Sequence, residues 1–434
     1  MSLRKEYFAA VIPAVLAFAL SAVYAIVDGF FVGNTVGDVG ISAINVVYPL
    51  VALIQALGTG VGMGGAVVWS IKKVTAAGEE ANQVVLCTLL LLALLSALCM
   101  AGLWALLEPA LWFLGARGDV VAFGRDYLQV VIGGAGFQIF AVGLVPLLRN
   151  NGGARFAMMT MMTGFVTNIV LDYAFVWVLN GGMTGAAAAT VAGQLVTVLC
   201  CVGYLVRHRL PRWQRPAGVA RSWGALVRIG IAPFGLSLSP MISLMLMNRF
   251  SLAYGGNAAV ACYACIAYAL TIVYCLLQGV GDGSQPLFSR CYAEGKHKEL
   301  AQVQRWAVAL GEGLAVFGIA LLFFGRFGVG RLLGASAGVT ADVAGALPIF
   351  LLGLFFYAYS RVATAGFYAT ERSADSYLCV YAEPVSLLVL LLIVPRFSGQ
   401  AGVWWSMVGA QAFTGGLAFY LRRRAAGQEK EKRK

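Results

Sequence analysis

Twelve apolar runs, each at least as long as the roughly 20 residues that cross a bilayer as a helix, leave this chain almost no way to fold in water. They lie near residues 7–33, 39–71, 82–114, 119–148, 154–180, 183–206, 224–254, 257–290, 300–333, 339–370, 374–395 and 399–422. Only 12% of the 434 residues are charged, against about a quarter in soluble domains, so the connections are too sparse to build a separate soluble domain. Inside hydrocarbon every backbone polar group must be satisfied within the protein, which runs of this length achieve as helices. The expected fold class is all-α integral membrane, with twelve transmembrane helices.

The pattern occurs twice. At an offset of 220 residues Pro13 meets Pro233, Asp28 meets Asn248 and Tyr48 meets Tyr268. At 219 the run Gly60, Val61, Gly62, Met63, Gly64 meets Gly279, Val280, Gly281, Asp282, Gly283, and at 217 Gly185 and Gln194 recur as Gly402 and Gln411. Six helices per copy is an even number, so both copies start from the same side of the membrane. Two six-helix lobes related by a pseudo-twofold axis along the membrane normal are expected, an arrangement in which one half can rock against the other. The expected division is an N-terminal lobe over 1–206, a cytoplasmic linker over 207–223 with a short amphipathic turn around Trp213 and Trp223, a C-terminal lobe over 224–422 and a basic tail over 423–434.

Charge placement sets the orientation. Of 31 Lys and Arg residues, 24 fall in the termini and in loops of one side, and five, including Arg117, Arg326, Arg331 and Arg396, fall on the other. Basic loops favour the cytoplasm, so both termini are expected inside the cell, in the inner (cytoplasmic) membrane. The net charge of +12 is then topology and contact with anionic membrane lipid; no basic domain exists to bind nucleic acid. Nine cysteines, an odd number mostly within apolar runs, do not form a disulfide framework. Cys262 and Cys265 lack a partner pair or a neighbouring His and read as packing residues. The stretch Gly58–Gly65, "GTGVGMGG", lies inside a spanning run with no strand before it, so it reads as close helix packing rather than a nucleotide loop. His208 and His297 sit in loops away from any nucleophile, and no enzyme activity is expected. A monomer is expected.

Carboxylates at bilayer depth are expensive and therefore functional candidates. In "TGFVTNIVLDYAFVW" Asn168 and Asp172 stand at i, i+4, on one helix face. Thr190 on the next run, with Gln194 a turn further on, offers further oxygens, and Asp28 on the first run completes a candidate cage. Such oxygens suit a hard cation or a proton shared between two acids. In the repeat Asp28 becomes Asn248 and Asp172 falls near Leu392, so the acid cluster belongs to the first half alone. The alternative is that these groups only hydrogen-bond neighbouring helices, with Asp28 at the outer interface. The second half carries Arg249, Asp282, Arg361 and Glu383, which read either as compensating pairs, Arg249 with Asp282 and Arg361 with Glu383, or as cavity groups facing a charged substrate. Tyr24, Tyr48, Tyr268 and Tyr274 can stack on a flat cation, and the methionines at 158–162 and 241–247 can adapt to varied ligands or pack against lipid.

Taken together, Pro13 and Asp28 on the first run, "LLRNNGGARFAM" over 147–158, "NIVLDYAFVW", "MTGAAAATVAGQ", "GVGDGSQPLFSRCYAEGK" and "GQAGVWWSMVGAQ" resemble the multidrug and toxic compound extrusion (MATE) family, in its DinF-like branch, over nearly the whole length. The resemblance implies two six-helix lobes around a central cavity, export of organic cations or amphipathic small molecules by antiport, and H+ or Na+ as the coupling ion with no cofactor. It places the coupling site at Asp28, Asn168, Asp172 and Thr190, where any Na+ would sit. Tyr24, Tyr48, Gln194, Arg249, Tyr268, Asp282, Arg361 and Glu383 become candidate cavity residues and Pro13 a candidate bending point. Two departures stand out. Asp282 replaces a Gln usual in the eighth helix, and Arg361 occupies a helix where some relatives carry a coupling acid. Arg249 and Arg361 leave open an anionic or lipid-linked substrate, as for a flippase, and a non-transporting membrane scaffold is the remaining alternative.

Overall fold

The computed structural model describes residues 2–76, 78–212 and 214–431, with the backbone alone for Ala25, Asp38 and residues 426–431. Trp213 and residues 432–434 of the expected linker and tail lie outside the described residues. Helices α1 (Leu3–Thr35), α2 (Asp38–Thr75), α3 (Gly78–Ala105), α4 (Leu107–Phe113), α5 (Asp119–Gly133), α6 (Ala135–Asn150), α7 (Ala154–Asp172) and α8 (Gly182–Arg207) form the first half. Then follow α9 (Val219–Ala293), α10 (His297–Leu332), α11 (Ala337–Ala369), α12 (Ser373–Ile393) and α13 (Pro395–Glu431).

Nine of these runs are long and apolar enough to cross a membrane, and α5 with α6, bent by 56° at Gly134, forms a tenth span. The 75-residue α9 is two spans, because Gly256 leaves helical geometry at φ 67, ψ −163. Past the same kind of break at Gly399, α13 supplies the twelfth, carrying no charge between Gln400 and Leu421. The twelve expected helices are present, but the third run stops at Ala105 and restarts as α4, and the fourth is broken.

The duplication is written into the turns. Glycines with positive φ recur at repeat-related positions: Gly37 with Gly256, Gly115 with Gly334, and Gly182 with Gly399. These are backbone states that a Cβ disfavours. The pairing places three of the sharp reversals of one half at the same points of the other.

By contact the chain divides into two compact units, Phe8–Leu238 with Ala293–Gly295, and Ser2–Tyr7 with Ser239–Tyr292 and the chain from Lys296. The second unit is centred on α11, where Phe350, Leu354 and Tyr357 pack with Leu387 of α12 and Val403 of α13. Cys262 and Cys265 are buried in this core as free thiols. Within this second unit Glu6, at the start of α1, is paired with Arg290 of α9.

The first unit is built on the glycines of α2. A Cβ at Gly58 would meet the Ile139 carbonyl of α6 at 2.5 Å, one at Gly60 the Gly230 carbonyl of α9 at 3.0 Å, and one at Gly62 the Gly143 backbone of α6. Gly65 faces the Thr88 side chain of α3. One helix thus presents glycine to three neighbours, as expected where membrane helices need close approach.

The segment joining the halves is strapped to α3. Asn82 donates from Nδ2 to the Arg212 carbonyl (2.7 Å) and accepts at Oδ1 from the Arg212 amide (2.6 Å). Gln83 donates to the Arg215 carbonyl (2.8 Å) and accepts from the Ala217 amide (3.2 Å). Trp223 Nε1 donates to the Cys87 carbonyl at 3.0 Å. Two amide side chains therefore treat the linker backbone as a neighbouring strand would. Replacing Asn82 with Ala removes both bonds to Arg212 at a cost of about 1–3 kcal/mol. Trypsin should then cleave after Arg212 about ten times faster, because a locally opened segment is what a protease cuts; an unchanged digestion rate would mean the strap holds nothing.

Candidate functional site

The inward face of α7 is spelled at intervals of four, with Thr160, Gly164, Asn168 and Asp172 all buried, as i, i+4 geometry requires. Glycine sets the distance to α8. A Cβ at Gly193 would lie 2.7 Å from the Gly164 carbonyl oxygen and 3.1 Å from Asn168 Cβ. That approach brings Asn168 Nδ2 to donate to Thr190 Oγ1 at 3.4 Å. Asp172 has no exposed surface, and Asn168 and Thr190 are also buried.

Helix α1 delivers the second acid. Tyr24 stacks on Phe165 with ring centroids 5.2 Å apart, and Phe31 meets the edges of Tyr173 at 6.5 Å and Trp177 at 6.2 Å. Asp28 lies between these two aromatic contacts and is held beside Asp172, carboxyl facing carboxyl. Asp28 Oδ1, Asn168 Oδ1 and both oxygens of Asp172 are buried with no hydrogen-bond partner among the described residues. Tyr24 and Tyr127 lie close to Thr190 and within electrostatic range of the two acids. Tyr127, on α5, escapes sequence reading because a buried aromatic there is indistinguishable from core until its partner on α8 is placed. Immediately after Asp172 the helix widens into a π-helix, Tyr173–Val178, a distortion common at functional positions and without a sequence signature here.

The arrangement has definite chemical consequences. Two facing carboxylates and an amide oxygen, all without donors, are costly to bury as they stand. A proton or a small hard cation between them removes that cost, since every available ligand is an oxygen. Among the described residues no group of three or more His, Cys, Asp or Glu side chains gathers for a metal ion.

The other candidates are scattered. Gln194 is half-buried one turn beyond Thr190, and Tyr48 and Tyr268 are exposed. Pro13 is buried inside α1, which continues through it as one helix. In the second unit Asp282, Arg361 and Glu383 are buried together, each less than 10% exposed, while Arg249 is exposed on α9. Arg361 lies 4.6 Å over the Tyr357 ring and donates from Nη1 to Gln278 Oε1 at 3.4 Å. Gln278 Nε2 in turn donates to Asp282 Oδ1 at 2.9 Å.

A protein-family model described as MatE matches residues 13–174 and 232–390, one segment in each half. The multidrug export protein MepA of Staphylococcus aureus (strain MRSA252) is 24% identical over 429 residues, covering 95% of this chain and 92% of that protein. MepA of Staphylococcus saprophyticus is 23% identical over 423 residues, with the same coverage. Among solved structures, a multidrug resistance MATE family transporter of the MOP superfamily in an outward-facing conformation superposes with a TM-score of 0.93 at 22% identity, covering 99% of this chain and 97% of that one. A MOP superfamily transporter from Pyrococcus furiosus, described as having a binding pocket of reverse polarity, gives 0.93 at 21% identity with the same coverage. At such identities the structural likeness establishes the fold.

Proposed function

The chain belongs to the MatE family, whose model covers most of it, and from that premise we propose that it is a secondary active multidrug exporter. It moves organic cations or amphipathic small molecules out of the cell by alternating access, in antiport with H+ or Na+. The observation that supports this reading best is the set of four donor-less oxygens gathered around Asp28, Asn168 and Asp172. An ion or proton that neutralises them stabilises one closed form of the site. Its release restores two charged acids that favour a different state or a bound substrate cation. Ligand-driven switching of this kind needs only a difference in affinity between the two states.

The surrounding assignments follow from the same reading. Both termini face the cytoplasm in the cytoplasmic membrane, where the basic loops meet anionic headgroups. The protein works as a monomer, and bending of the now continuous α1 at Pro13 moves Asp28 relative to α7. Exchange of one monovalent cation for one proton or Na+ moves no net charge, whereas a second coupling ion would add about 2.3 kcal/mol per 100 mV.

Proteoliposomes test the proposal directly. With a fluorescent organic cation as substrate, a proton gradient and a sodium gradient are imposed separately. Transport against the substrate gradient is expected under one of them and should collapse when an ionophore dissipates that ion. Absence of transport under both would overturn cation antiport and favour an anionic or lipid-linked substrate.

A further inference from the structure

Among the described residues no Lys or Arg stands beside Asp28 and Asp172 of the first half, whereas the acids of the second half have a fixed cation of their own. Arg361 sits in the middle of α11, 93% buried, where an unbalanced charge is expensive. Around its guanidinium are the face of Tyr357 at 4.6 Å, the amide oxygen of Gln278 at 3.4 Å and, within electrostatic range, the carboxylates of Asp282 and Glu383. Behind this shell the Tyr274 ring packs on Tyr357 at 4.2 Å and is anchored by a 3.1 Å bond from Gln411 Nε2 to its hydroxyl. An aromatic face, an amide oxygen and two carboxylates make up a recognition set for a flat organic cation. α9 supplies Tyr274, Gln278 and Asp282, while α11, α12 and α13 supply Tyr357, Glu383 and Gln411.

We propose that Arg361 is a tethered cation: its guanidinium permanently fills a cation cage in the second half, leaving the exchangeable ion to the first half alone. The cage requires a positive charge to hold Asp282 and Glu383 together, and a covalently attached one cannot be released. Coupling therefore draws on the Asp28 and Asp172 site only, a consequence that rests on the antiport reading. The cage itself does not rest on it.

Emptying the cage tests this without measuring transport. Purified Arg361→Ala should unfold at a temperature several degrees below wild type and regain most of the loss with millimolar guanidinium or methylguanidinium. Equal concentrations of sodium or choline chloride should restore little, and wild type should respond to none of them. Equal recovery with every salt would reduce the effect to screening, and full stability of Arg361→Ala without any addition would remove the need for a cation; either result overturns the proposal. Should Arg361→Ala fail to fold, Arg361→Ala/Glu383→Gln removes one negative charge along with the positive one. That double variant is expected to fold and to ignore guanidinium, and its failure to fold would show that Arg361 acts through something other than charge.

Discussion

Asp172→Asn is expected to give a folded, membrane-inserted protein that no longer couples export to an ion gradient. Asn matches the shape of Asp and fits the same wholly buried position, so packing of α7 against α8 through Gly164 and Gly193 is preserved. What disappears is one of two carboxylates that face each other with no donors of their own. Removing one charged member of a buried, ion-holding set costs about 3–5 kcal/mol, or roughly a hundred- to several-thousand-fold in ion affinity at 1.4 kcal/mol per tenfold. Gradient-driven uptake into proteoliposomes should fall to the leak rate while the thermal stability of the protein holds or rises, because the variant no longer buries two facing acids. Asp28→Asn should act in the same direction but less steeply, since Asp28 keeps some exposed surface. Coupled transport at the wild-type rate in Asp172→Asn would sink the assignment of this cluster as the coupling site.

Most of this architecture could be read before any coordinates. Apolar run lengths located the spans because a bilayer fixes the length of a helix that crosses it. The 219-residue spacing carried further than expected, down to the positive-φ glycines Gly37 and Gly256 at corresponding turns. Hydropathy could not show the breaks within runs. The only local mark of the 56° bend at Gly134 is the Gly133–Gly134 pair, to which hydropathy is blind, because a bend redirects backbone hydrogen bonds without changing how apolar the residues are. The gathering of Asn168, Asp172 and Thr190 was legible from i, i+4 spacing and a neighbouring helix. Tyr127 and the π-helix after Asp172 were not, since each depends on which helices meet and not on local pattern. In the second half, the sequence offered Arg249 with Asp282 and Arg361 with Glu383 as compensating pairs, or all four as cavity groups. The fold gathers Asp282 and Glu383 around Arg361 and leaves Arg249 exposed, a choice made by the packing of α9, α11 and α12.

Gly62→Val should damage folding more than any substitution in the coupling cluster, although Gly62 touches no charged group. The added Cβ would come within 2.6 Å of the Gly143 carbonyl carbon on α6, and closer still to that residue's oxygen and Cα. A clash with backbone cannot be relieved by a rotamer change, so α2 and α6 must separate. Gly58 meets the same helix at the Ile139 carbonyl, 2.5 Å from where a Cβ would sit, and it would lose its contact too. Overpacking costs about 1–3 kcal/mol even where side chains can yield, and in a membrane the lost helix contact is not replaced by a hydrophobic driving force, because lipid is as apolar as the protein surface. The expected loss therefore sits at or above about 3 kcal/mol, visible as little monodisperse protein after detergent extraction and a strongly lowered unfolding temperature. Gly102→Val on α3 is the matched control, since a Cβ there meets nothing within 4 Å, and it should behave as wild type. If both variants extract and unfold alike, the glycine spacing of α2 is not what sets the approach of the helices in this unit.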